Sequence, residues 1–79
     1  MKIKTIQDKL ANTDIDGYLL LDYEGKNNVL VSLLGKKMLT RKVIAFIPKE
    51  GKGTLIAHFI DTVYLKDKDT LGQFNLLVY

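Results

Sequence analysis

The feature that most restricts the fold of this chain is a pair of strand-forming runs that are apolar on both faces. From Gly17 to Asp22, tyrosine and leucine crowd together without polar alternation. In Lys42–Ile47, Val43, Ala45 and Ile47 point one way while Ile44 and Phe46 point the other. A strand with one wet face alternates apolar and polar residues, and a run that does not alternate reads as covered on both sides, in the middle of a layered α/β sheet. The expected architecture is therefore a small three-layer domain, a mixed sheet with helices on both faces.

The remaining segments fill in that plan. Ile3, Ile6 and Leu10 recur at helical spacing, with Thr5 as candidate cap and Asp14 to Gly17 ending the segment, so a first amphipathic helix is expected. Glu24-Gly25-Lys26-Asn27-Asn28 has turn chemistry, and Val29, Leu30, Leu33 and Leu34 predict a short crossover helix closed by Gly35. Lys42–Ile47 and Thr54–Ile60 flank a polar, glycine-bearing loop from Pro48 to Gly53, which predicts an antiparallel hairpin. One helical turn is expected after Asp61, a charged loop from Lys66 to Thr70, and a last strand over Gln73–Tyr79.

At 79 residues this is one domain, without linker or repeat. A chain of this size buries only ~60% of the surface its unfolded form exposes. It has no cysteine, so neither a disulfide framework nor a thiolate zinc site can staple it, and a reducing cytoplasm fits. The early charges Asp8 and Lys9 interrupt any signal-peptide core, and no apolar stretch is long enough to span a bilayer. Twelve basic residues against nine acidic give a net charge of +3, but the eleven lysines are scattered and there is a single arginine. A phosphate-binding surface gathers its basic residues on one face among stacking aromatics, so neither nucleic acid nor membrane is an expected partner.

Residues able to carry chemistry are few. His58 is the only histidine, set in an apolar strand between Ala57 and Phe59, and Asp61 three residues on is too little to complete a metal site. Asp14 and Asp16 flank a turn, and Asp67 and Asp69 alternate with lysines in a loop, where local hydrogen bonds and solvation account for them. Gly51-Lys52-Gly53 opens a strand and not a helix, so it is a hairpin turn and no phosphate loop. Arg41, the sole arginine, sits at the entrance to a strand, where a guanidinium can hold a carboxylate in two-pronged fashion. The simpler reading is a structural salt bridge to Asp22 or Glu24. Arg41 and His58 are the two candidate cleft or structural residues; no catalytic, cofactor-binding or metal-ligating residue is expected in this chain.

The series Asp16-Gly17-Tyr18-Leu19-Leu20-Leu21-Asp22-Tyr23, Gly25, Asn27, Leu39-Thr40-Arg41, Ile47-Pro48, Glu50-Gly51 and His58 to Asp61 follows in an order that resembles the amino-terminal domain of the creatinase, prolidase and aminopeptidase P family. The resemblance covers residues 4 to 79. The family's Asn-Pro, Thr-Arg-Arg and His-x-Ile-Glu appear here as Asn27-Asn28, Thr40-Arg41-Lys42 and His58-Phe59-Ile60-Asp61. What the resemblance implies is a ribonuclease-H-like α/β layer that is non-catalytic, shapes a substrate cleft and supports homo-oligomer contacts. The catalytic pita-bread domain of that family, with its two divalent metals, manganese or cobalt, lies outside these 79 residues. Asn75 to Tyr79 read as a buried strand with no helix after it, so the expectation is an incomplete amino-terminal fragment of an Xaa-Pro dipeptidase or aminopeptidase, inert alone and completed by its own carboxyl-terminal domain. The alternative from another class is a free-standing interaction module that associates through a sheet face or edge.

Overall fold

The structure, a computed structural model, describes residues 1–35 and 37–79. In chain order it holds α1 (Ile3–Leu10), β1 (Gly17–Tyr23), α2 (Asn28–Leu33), β2 (Lys42–Pro48), β3 (Gly53–Ala57), a 3-10 turn (Asp61–Tyr64), α3 (Lys68–Gln73) and β4 (Phe74–Val78). The strands form one mixed sheet in the order β1-β2-β3-β4. The first two pairings are antiparallel and β3 runs parallel to β4, the crossover passing through the 3-10 turn and α3. This is a small α/β fold.

Period two sorts each strand cleanly. Leu20 of β1, Val43, Ala45 and Ile47 of β2, Leu55 and Ala57 of β3 and Phe74 of β4 are buried on one face, joined in a single core by Ile3, Ile6 and Leu10 of α1, Leu30 and Leu33 of α2, and Leu65. Gly53 makes room for that core. A Cβ there would stand 2.8 Å from the Phe74 ring and 2.8 Å from the Phe46 carbonyl oxygen, so only glycine lets the ring lie against the strand.

The other face is bare. Leu19, Leu21 and Tyr23 of β1, Ile44 and Phe46 of β2 and Leu77 of β4 are exposed there. The described residues thus make two layers where three were expected, and β1, expected in the middle of the sheet, is an edge strand. Its lack of alternation reflects an apolar open face and not a second helical layer.

Local chemistry explains the element ends. α1 begins two residues before Thr5; Lys2 is its cap residue, and the Ile3 amide donates to Gln73 Oε1 at 2.7 Å. Buried Gln7 pins the hairpin loop to α1, its Nε2 donating to the carbonyls of Pro48 (3.0 Å) and Gly51 (2.8 Å). After β1 the chain turns through Glu24 and Gly25, both at positive φ, around the Asp22 carboxylate, which accepts from the Gly25 and Asn27 amides. Asn27 then caps α2, accepting from Val29 and Leu30.

Of residues 66–70, expected as a charged loop, Lys68–Thr70 instead form the first turn of α3. Asp67 caps it by accepting from the Thr70 amide, and Lys37 lies 3.0 Å from the same carboxylate. With Thr70 as the main cause and Lys37 adding to it, against some desolvation, the Asp67 carboxyl is held at about 2. Lys37 also donates to the Leu34 carbonyl at 2.8 Å, tying the end of α2 to the start of α3. Among the described residues no helix is long and apolar enough to cross a membrane.

Candidate functional site

Arg41 and His58 arrive at the same end of the sheet, because β2 begins where its antiparallel partner β3 ends. Asp61 organises this corner. Its carboxylate has no solvent exposure and accepts from the Thr40 hydroxyl at 2.6 Å, the Thr40 amide at 3.1 Å and the Arg41 amide at 2.9 Å. Burial pushes this carboxyl up. The Thr40 hydroxyl, the Arg41 and Thr40 amides and the charge of Arg41 together outweigh that, and the group sits below the ordinary aspartate range. The Asp61 amide donates back to the His58 carbonyl at 2.9 Å, so one residue fixes the approach to β2 and the exit from β3.

Arg41 forms no salt bridge with Asp22 or Glu24. Asp22 is committed to the turn amides, while the exposed guanidinium reaches the Thr40 hydroxyl at 3.4 Å. His58 lies one residue beyond β3 and not inside a strand. Its Nδ1 accepts the Ile60 amide at 3.1 Å, and its ring meets Tyr79 edge-on, with centroids 5.4 Å apart. The Tyr79 hydroxyl donates to the Lys42 carbonyl at 2.6 Å, closing the corner.

This arrangement does not fit a metal. The Asp61 oxygens are taken by donors, His58 Nδ1 is already an acceptor, and among the described residues no group of three or more His, Cys, Asp or Glu side chains could hold an ion. What the corner offers is an arginine whose backbone amide is held by Asp61 while its guanidinium stays exposed, with Phe59 and Tyr79 also exposed at this end of the sheet.

The larger feature is the open sheet face. Its side chains come from all four strands: Leu19 stands opposite Phe46 and Leu21 opposite Ile44, Ile44 is paired in turn with Ile56, and Ile56 with Leu77. Leu21 is 60% exposed and Leu77 53%. The one charge among these strand positions is Lys42, in a chain that is 27% charged. Phe46 lies over Gly17, where a Cβ would fall 2.4 Å from the ring, so that corner is flat. A hollow of about 370 Å³ at the β1–β2 end is lined by Leu21, Asp22, Tyr23, Lys42, Val43 and Ile44, Asp22 and Val43 belonging to the core side of the strands. On the helical side, an apolar groove of about 380 Å³ opens between Ile6, Lys9, Leu10, Ile15, Tyr18 and Val29.

Sequence reasoning singles out Arg41 and His58 and sets Asp61 aside as too little for a metal site, whereas in the structure Asp61 is the residue that ties their two segments together. The available signal was Asp61 itself, the one charge in the mostly apolar and aromatic stretch from Phe59 to Leu65, where burial demands donors. Neither the protein-family models nor the curated proteins compared with this chain match it.

Proposed function

We propose that this chain is a non-catalytic interaction module that works by receiving another polypeptide layer on its open sheet face. The observation that carries this reading is the convergence of apolar side chains from all four strands on one uncovered surface. Contiguous apolar patches larger than about 300–600 Å² on a soluble protein mark sites of association. The resemblance to the amino-terminal domain of Xaa-Pro peptidases gives the module a setting. In a ribonuclease-H-like layer the docked element is the third layer, and the module shapes a substrate cleft whose metals and acid–base groups belong to another domain. Arg41, held by Asp61 through its amide, is then the residue to present to a substrate or neighbouring carboxylate.

The test is substitution of face residues followed by equilibrium unfolding. Leu77→Lys and Ile44→Lys are expected to leave stability within about 1 kcal/mol, since Leu77 is half-exposed, Ile44 about a third exposed, and lysine keeps its ammonium in water. Loss of the fold in both variants would place the face in the core and end the reading. Turnover of Xaa-Pro dipeptides by the pure chain with manganese would equally defeat the non-catalytic assignment.

A further inference from the structure

Resting on the docking-face reading, we infer that a second copy of this chain occupies the face, in a two-fold, sheet-on-sheet dimer. Area is the first argument. Taking ~200 Å² for a large apolar side chain, the exposed fractions of Leu19, Leu21, Tyr23, Ile44, Phe46 and Leu77 sum to roughly 600 Å². A standard stable interface takes about 800 Å² from each partner, so two such faces with their polar borders supply what a dimer needs.

Charge is the second argument. A surface meant for an acidic or basic partner carries the opposite charge, but this face carries only Lys42, at one end of β2. A two-fold interface joins a patch to itself and must be self-complementary, which an apolar face meets without paired charges. Two aligned sheets stack about 10 Å apart with side chains interdigitating. The flat corner where Phe46 covers Gly17 and the hollow among Leu21, Tyr23, Lys42 and Ile44 give such a face both a low region and a socket.

The free edges of the sheet offer a rival geometry. β1 is seven residues long, with neither lysine nor proline to blunt it. Part of that edge is already occupied, however, since Asn27 Nδ2 donates to the Leu21 carbonyl at 2.8 Å. Pairing along β1 would have to displace this bond. Stacking through the face disturbs nothing.

Sedimentation equilibrium of the whole chain from about 1 to 500 µM decides the matter, with an expected dimer of Kd about 1–100 µM. Ile44→Lys and Ile56→Lys lie on the two inner strands and touch neither edge. Each is expected to weaken the dimer at least ~50-fold while circular dichroism stays that of the folded chain. A monomer throughout the range overturns the inference. So does a dimer that both substitutions leave intact, which is edge pairing, or an open-ended series of oligomers. Should an inner-strand variant fail to fold, Leu77→Lys on β4 supplies the same comparison. A monomeric wild type with folded face variants removes the second copy but not the docking face; unfolding of the face variants removes both.

Discussion

Replacing Asp61 with asparagine tests the corner most sharply. The side chain is almost isosteric, but the carboxylate has two acceptor oxygens serving the Thr40 amide, the Thr40 hydroxyl and the Arg41 amide, whereas an amide has one acceptor and adds two donors. At least one buried donor loses its partner, and hydrogen bonds to charged groups are worth ~1.5–3 kcal/mol each. The expected loss is about 2–3 kcal/mol at neutral pH, from a domain whose total stability should lie near ~4–12 kcal/mol. The pH dependence separates this cause from simple misfit. The Asp61 carboxyl is depressed in the folded state, so its contribution is present above its unfolded value, near 3.8, and is lost as pH falls through its folded value. A protonated aspartate, like asparagine, has lost one full acceptor oxygen and gained donor hydrogen, so the gap between the two proteins narrows with acid. Urea unfolding followed by circular dichroism at a series of pH values from 7 down to 2 measures it. A gap below ~0.5 kcal/mol at pH 7, or one that does not narrow in acid, would refute the assignment of Asp61 as the anchor of this corner.

Three further outcomes are expected. Gly53→Ala, whose methyl would meet both the Phe74 ring and the Phe46 carbonyl at 2.8 Å, should cost about 1–3 kcal/mol in urea unfolding, and an unchanged midpoint would mean that the ring moves freely. Glu24→Gly should raise stability by up to ~1 kcal/mol, because Glu24 holds φ at 59° without the freedom of glycine; a decrease would show that its side chain contributes more than the strain costs. Lys37→Met should move the Asp67 titration, followed by NMR, upward from about 2, while a titration left in place would assign the whole depression to Thr70.

Much of the fold was legible because periodicity reports directly on it. The spacing of Ile3, Ile6 and Leu10, the polar loop between two apolar runs, and the Gly35 stop each reflect local geometry that survives without tertiary context. The start of α3 was not legible, because an Asp-Lys-Asp-Thr string reads equally as loop or as cap and first turn, and contact with Lys37, thirty positions earlier, favours the helix. The apolar run continues past Ala57, and the backbone pairing follows it for one more residue, the Tyr79 amide donating to the Ala57 carbonyl and the Phe59 amide to the Tyr79 carbonyl, before the turn built on Asp61 takes over; His58 thus sits just past the end of β3.

By itself, the sequence determined α1, α2, the antiparallel hairpin and the presence of apolar side chains on both sides of the sheet, since all of these follow from residue spacing along a single segment. Tertiary structure alone decided that β1 lies at an edge, that α1 and α2 pack on the same face of the sheet, and that Asp61 binds the two segments carrying Arg41 and His58. Strand order and burial arise from contacts between residues far apart in the chain. A run of leucines is the same in sequence whether a helix covers it or a partner does.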